Sequence, residues 1–441
     1  MEQRRKNLTQ LFIPICLETL LYMLSGMVDT LMLSSVNDQA VGAVGTANTY
    51  IGIFIIMFSV ISSGMVAVMT QNIGAGRPGV AYQARQLGLA FNAVLGVIMS
   101  LFLSLGAGTI LSGVGVADAL MQPAKTYLQI VGGFCILNAL IPICSSYLRA
   151  FGFSKEPLYA SIIGNVINFC LNAFFLFVLH KGVAGVATAT VISRIINLVI
   201  VVLLGAVLVK AKQHPERESN RAVMGQIIRI GLPSACETAI YNVSMTLVIR
   251  FLNQMDAQGL NVTARSYTMQ ITNFSYCVGA ALAQANAIMT GWHIGAKEYD
   301  ACDRGTKKAA VIGVIVAVIL ETVFTLCSGW IMQLFSKDPQ MVSLVGKLLA
   351  IDIVLEIGRV TNLVYGQALK TSGDAVFPVV MGACFMILCS VGGTYLFGIR
   401  LGLLVVGAYI GMTGDECVRA VGMYLRWKSG KWKEKGLVKS R

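Results

Sequence analysis

FIPICLETLLYMLSGMVDTLMLS, residues 12–34, is long enough to cross a bilayer, yet it carries Glu18 and Asp29. A carboxylate in hydrocarbon costs at least ~2.5 kcal/mol, so a chain that keeps two should have a use for them. The stretch also returns half a chain later. Residues 230–244, IGLPSACETAIYNVS, repeat it, with Pro14 answering to Pro233, Glu18 to Glu237, Thr19 to Thr238, Tyr22 to Tyr241 and Ser25 to Ser244. A proline and an acid repeated on a second apolar segment point to a two-lobed membrane protein built from internal repeats, an architecture of transporters.

Composition supports the membrane reading. Of 441 residues, 56% are hydrophobic and 12% charged, with a mean hydropathy of +0.72. Soluble domains carry about 25% charge. The net charge of +13 is spread between apolar blocks rather than gathered on one compact domain, which argues against nucleic-acid binding. The 11 cysteines show no paired spacing, and most lie within apolar runs, as small buried hydrophobes do. The first apolar run lacks a small-residue cleavage site and is expected to stay as the first span.

Twelve spans of about 20 apolar residues can be marked off. They fall near 10–34, 46–72, 88–112, 127–149, 157–179, 184–209, 226–252, 264–291, 307–332, 342–369, 376–397 and 403–425. Placing the N-terminus in the cytoplasm puts Arg4, Arg5, Lys6, Arg77, Arg85, Arg149, Lys155, Lys210, Lys212, Arg217, Arg221, Arg229, Lys297, Arg304, Lys307, Lys308, Lys370 and the tail from Arg426 to Arg441 on that side. The opposite loops hold Lys125, Lys181, Lys337 and Arg400, with Lys347 near a boundary. This asymmetry is the positive-inside rule, and it puts both termini in the cytoplasm. The longest polar connection, KAKQHPERESNRAVMGQ (210–226), divides the chain near its middle. The expected domains are an N-terminal six-helix lobe (1–209), a cytoplasmic linker (210–225) and a C-terminal six-helix lobe with a basic tail (226–441).

The repeat continues past the first helix. AVMTQNIGAG (67–76) resembles AIMTGWHIGAK (287–297), and Leu148, Gly152 and Pro157 match Leu369, Gly373 and Pro378 at an offset of 221. Both copies start on the same side, so the lobes should be related by an axis along the membrane normal, around a central cavity. The expected fold is an all-α integral membrane protein of twelve transmembrane helices in two pseudo-symmetric lobes.

The acids inside the expected spans are Glu18, Asp29, Glu237, Glu321, Asp352, Glu356, Asp415 and Glu416. Asp415 and Glu416 are read as lying at a span end, and Arg359 is one turn after Glu356, so an internal pair is expected there. Glu18 and Glu237, with Tyr22 and Tyr241 one turn on and Glu356, are the candidate cavity residues. Asp29 has no acidic counterpart, since Val248 holds the matching place. In the same lobe Asn168 and Asn172 are one turn apart, and the sixth span adds Thr188 and Thr190. An aspartate beside amide and hydroxyl oxygens suits a small hard cation, and a desolvated aspartate suits a proton. No His/Cys cluster has metal spacing, and no nucleophile–base arrangement is present, so neither a catalytic nor a metal site is expected.

Several stretches together resemble the multidrug and toxic compound extrusion (MATE) transporters. They are the opening 13–35 with its VDT, QNIGAGRP (71–78), LRAFGFSKEPLYASIIGNVINFCLN (148–172), GVAGVATATVISR (182–194) and GLLVVGAYIGMTGDECVRAVGMYLRWKSGKW (402–432). The resemblance covers nearly the whole chain. It implies export of organic cations in exchange for inward H⁺ or Na⁺, with no other cofactor and no enzymatic activity. In the DinF-like branch the N-terminal lobe holds the cation on residues that match Asp29, Asn168, Asn172 and Thr190. This chain departs at Asn172, where such members often carry a second aspartate. Other branches put acids on helices 7 and 10, where Glu237 and Glu356 are candidates. A lipid-linked oligosaccharide flippase of the same superfamily is the alternative, on the strength of Arg194, Arg250, Arg265 and Arg359. The bilayer and organic cations are the expected partners, a cell membrane the location, and a monomer the functional unit.

Overall fold

A computed structural model describes residues 6–34, 38–113, 116, 118–256 and 259–438. Arg4, Arg5 and the last three residues of the basic tail lie outside the described residues. The regular secondary structure of the described residues is all helical, with no strand among them. Twelve long helical segments follow one another. In the first half they are α1 (Leu8–Ser34), α2 (Asp38–Gly74), α3 (Pro78–Gly113), α4 (Asp118–Gly132 with Ile136–Ala150), α5 (Lys155–Val178) and α6 (Gly182–Leu208). In the second half they are α7 (Asn220–Met255), α8 (Leu260–Gly295), α9 (Tyr299–Leu326), α10 (Pro339–Ser372), α11 (Val376–Arg400) and α12 (Leu404–Lys428). α4 is bent by 43° at its break.

Seven of these helices are long and apolar enough to cross a membrane by themselves, and the bent α4 pair raises the number to eight. The other four, α7, α8, α10 and α12, are long enough but interrupted by charge. They carry Glu237, Arg250, Arg265, Asp352, Glu356, Arg359, Asp415, Glu416 and Arg419. Such residues are tolerated in a span only when they face protein and meet partners. Among the described residues, the buried charged side chains (Arg265, Glu321, Asp352, Glu356, Asp374, Asp415, Glu416 and Arg419) all lie in the second half.

The chain forms two compact units, Met1–Leu232 and Pro233–Arg441. The division falls inside α7, at its proline. The first turns of α7 belong with the first unit because two glycines let its backbone touch α2: a Cβ on Gly231 would lie 1.7 Å from the Val60 carbonyl oxygen, and one on Gly64 2.0 Å from that of Ile227. In the first unit the apolar core joins α2, α3, α4 and α6 through Ala47, Phe58, Leu103, Leu128 and Ala187. In the second it joins α7, α8, α10 and α12 through Val248, Ile271, Leu348, Leu355 and Tyr409.

Each unit is tied at a polar end by the segment that follows its last helix. The connection after α6 is strapped to the start of α3. Gln83 Nε2 donates to the Glu218 carbonyl (2.7 Å), Gln83 Oε1 accepts from Glu218 N (3.0 Å), and Arg77 pairs with Glu218 at 2.6 Å. After α12, Trp432 folds back and stacks on Trp427 at 4.2 Å. Trp427 Nε1 donates to Asp303 (2.9 Å), and Asp374 accepts from both Arg426 and Lys435 at 2.7 Å. Composition marked both stretches only as polar.

Candidate functional site

In the first unit the structure joins three of the four expected cation-site residues. Asp29 is half-buried near the end of α1. Asn172 Nδ2 donates to Asp29 Oδ1 at 2.6 Å and approaches Asn168 Oδ1 at 3.2 Å. Helical spacing stacks the two asparagines on one face of α5, and both are buried. Asn172 Oδ1 is left without a hydrogen-bond partner, an acceptor facing inward with capacity to spare. Thr190 is buried too, but its hydroxyl donates to its own helix at Val186 O (2.9 Å). Arg194 went unassigned to this group in the sequence. It lies one turn beyond Thr190, and its charge acts on Asp29 and on Tyr127 of α4.

Glu18 and Glu237 each have a basic partner. Glu18 Oε2 pairs with Arg149 Nη2 at 2.5 Å, and Glu237 Oε2 with Lys370 Nζ at 2.6 Å. Arg149 and Lys370 end α4 and α10, and they occupy matching places in the repeat, directly after the matched Leu148 and Leu369. Even the third side of each pair corresponds. Ser161 Oγ donates to Glu18 Oε1 at 3.4 Å, and at the matching place Gly382 leaves room against Glu237, where a Cβ would lie 3.3 Å from Cγ. The doubled motif is thus a doubled ion pair joining the first and fourth helices of each half. Pro14 adds a local detail: it has no N–H for the Gln10 carbonyl, and buried Ser154 Oγ supplies the missing donor at 2.9 Å. Tyr22 and Tyr241 are both exposed, Tyr22 at 69%.

The second unit buries a charge network on α10, α11 and α12. Glu356 pairs with Arg359, as their spacing predicts. Arg359 Nε reaches Glu416 Oε1 at 3.6 Å, Arg419 Nη2 reaches the same oxygen at 2.9 Å, and Arg419 Nε reaches Asp415 at 2.8 Å. Ser390 Oγ and Asn362 Nδ2 complete the network with 3.0 Å bonds to Asp415 and Glu416. The expectation that Asp415 and Glu416 sit at a span end is overturned. They are 2% and 7% exposed, because α12 runs on to Lys428 and turns both acids inward with Arg419. The spacing 415/416 to 419 was the available signal. Glu356 is wholly buried inside the unit. Among the described residues, no group of three or more His, Cys, Asp or Glu side chains is arranged to hold a metal ion.

Twelve long helices in two six-helix halves, with most of the buried acids paired to arginine or lysine, are the build of a multi-pass membrane protein, and the family match that follows makes it a transporter. The MatE family profile matches residues 14–174 and again 233–396, so each match begins on the repeated proline. The chain belongs to the MatE family. It is 34% identical to the uncharacterized transporter YisQ of Bacillus subtilis, over 96% of this chain and 94% of that one. It is 23% identical to the probable multidrug resistance protein NorM of Thermotoga maritima, over 98% and 94%. The same fold is present in a solved MATE protein in the bent conformation (TM-score 0.85, 18% identity, 97% of this chain and 96% of that one). It is present too in an outward-facing multidrug resistance MATE transporter (TM-score 0.84, 18% identity, 98% of this chain and 96% of that one).

Proposed function

We propose that this transporter exports lipophilic organic cations in exchange for inward H⁺ or Na⁺ by alternating access, from a cell membrane and with both termini in the cytoplasm. The observation that carries the reading is Asp29, a carboxylate held on a membrane-spanning helix by one amide donor, with the unused Asn172 Oδ1 beside it. A cation or proton arriving there replaces an unfavourable charge with a compensated one. For that event to drive transport, the ion must bind two conformations unequally. At ~100 mV each inward charge supplies ~2.3 kcal/mol, enough for one ion to support export usefully. The likeness to NorM multidrug resistance proteins supports the substrate class. The flippase reading is not favoured: the NorM relatives are multidrug resistance proteins, and of the four arginines that suggested it Arg359 is paired with Glu356.

The test is efflux of a fluorescent organic cation from proteoliposomes, with pH and Na⁺ gradients imposed separately. Asp29→Asn should abolish ion-driven efflux at unchanged thermal stability. Full efflux by that variant removes Asp29 from the mechanism.

A further inference from the structure

The exposed face of α9 does not stop where the helix stops. Ile315, Ile319, Val323 and Leu326 form one stripe at steps of three and four residues, and it continues through Trp330 and Leu334 in the connection to α10. All six are between 48% and 80% exposed. The opposite face of α9 carries the buried Thr306, Gly313, Ala317 and Glu321. A Cβ on Gly313 would be 2.6 Å from Val360 of α10 and 2.8 Å from Leu282 of α8. One face of α9 is therefore packed into its own unit, and the other is left to the surroundings. From Ala309 to Phe335 the one charged residue is Glu321, which is buried. A contiguous apolar face of this kind marks a contact surface.

The connection is held in place from below. α9 ends at Leu326, the chain turns at Cys327, and Ser328–Met332 form one further helical turn. Met332, 0% exposed, enters the core of the second unit. Phe335 sets its ring against Tyr267 of α8 at 5.4 Å, and a Cβ on Gly346 of α10 would lie 3.3 Å from Ser328 Oγ. These contacts turn Trp330 and Leu334 outward. Polar residues then close the apolar run: Ser336, Lys337 and Asp338 follow at once, and Asp338 caps α10 by accepting from Gln340 N at 3.0 Å. In the first half, at the offset of 221, Thr109 and Gly113 hold the places of Trp330 and Leu334, and α3 runs on to Gly113 without a break. The apolar extension belongs to the second half alone. Its ring nitrogen is open as well. Trp427 and Trp432 give their N–H to Asp303 and to the Trp427 carbonyl, whereas that of Trp330 has no acceptor among the described residues. A large ring with a free N–H fits the boundary where acyl chains meet ester carbonyls. α9 is itself long and apolar enough to cross a membrane, so the bilayer that covers Val323 reaches Leu326 and then Trp330.

We propose that the α9–α10 connection is a membrane foot: Trp330 and Leu334 lie in the interface of the leaflet at the far end of α9, and the Trp330 N–H donates to a phospholipid ester carbonyl. The occupant of this surface is phospholipid, not a second copy of the chain or a soluble partner. The foot pins that end of α9 and α10 to the leaflet, and it does not depend on the antiport reading.

The experiment is tryptophan fluorescence of the full-length wild-type and Trp330→Phe proteins in phosphatidylcholine vesicles, with the acyl chains unbrominated, brominated near the ester end or brominated near the methyl end. Trp292, Trp427 and Trp432 are 1–4% exposed, so the difference in emission between the two proteins reports Trp330. Lipid brominated near the ester should quench most of that difference, lipid brominated near the methyl end much less, and aqueous iodide little. Leu334→Trp, made in the Trp330→Phe protein, should restore the ester-end quenching. Quenching by iodide with none by either lipid would place Trp330 in water and overturn the proposal. So would no quenching by any of the three, which would mean that protein covers the ring, a second copy included. Stronger quenching by the methyl-end lipid would put the ring in the hydrocarbon core and overturn it too. Trp330→Phe should melt as the wild type does, and a protein that unfolds well below it would show the ring packed in protein, against the proposal.

Discussion

Asp374 shows how much one side chain can hold in a turn. It is 1% exposed, between α10 and α11, and receives Arg426 and Lys435. Burial pushes its carboxyl up, but the hydrogen bonds from Arg426 and Lys435 outweigh this and hold it below the usual 3.8. A carboxyl with a folded value below its unfolded one stabilises the fold above the unfolded value, and the contribution is lost as pH falls through the folded value. Asp374→Asn should therefore cost about 3 kcal/mol at neutral pH, since it leaves two cations without their anion. Thermal melts in detergent should show the gap between variant and wild type closing below about pH 4. A gap that stays constant down to pH 3 would contradict this assignment. Asn172 teaches a different lesson at the same scale. Its identity was plain in the sequence, but the donation to Asp29 was not, because α1 and α5 meet only when the lobe is packed.

At the scale of single elements, the turn after the second helix of each half is where the two copies differ in fitness. Gly76 ends the α2 turn with φ +73°, and Lys297 ends the α8 turn with φ +62°. The first is free for glycine; the second puts a Cβ against the following carbonyl at about 1–2 kcal/mol. Lys297→Gly should raise stability by about 1 kcal/mol, after the added unfolded-state entropy of glycine is subtracted. Thermal unfolding of the purified protein would show this as a higher midpoint, and an unchanged or lower one would mean that the lysine side chain makes compensating contacts. The helices themselves were easier to foresee than this. Stretches of apolar residues, some broken by charge, placed all twelve, and several helices run longer than a bilayer's hydrocarbon requires, as in the 37 residues of α2. Ends were misjudged because polar turns continue a helix without adding hydropathy.

Across the whole molecule the repeat is a shared frame filled with different polar interiors. The frame includes the ion pairs Glu18–Arg149 and Glu237–Lys370. Both are mostly buried, so removing one partner strands the other, while removing both is far less costly. Glu18→Gln and Arg149→Gln should each destabilise by about 3 kcal/mol, and the double variant should cost less than either. Glu237→Gln with Lys370→Gln should follow the same pattern. Denaturation in detergent can close both cycles. Additive costs in either half would show that its pair is incidental. The interiors do not repeat. Asp29 faces Val248 in the alignment of the halves, Asp352 faces Val131, and Asp415 faces Arg194. Each half therefore handles charge in its own way on a common scaffold.

The chain alone settled the membrane setting, the count of long helices and the doubling, because hydropathy, charge placement and repeated motifs are local properties written along the sequence. It also showed the Glu356–Arg359 pair, whose members are one turn apart. Packing decided the rest. Arg149 meets Glu18 across 131 positions, and Asn362 meets Glu416 across 54. Which buried acids find a base and which are left open depends on how helices rotate against each other, and no local pattern encodes that angle.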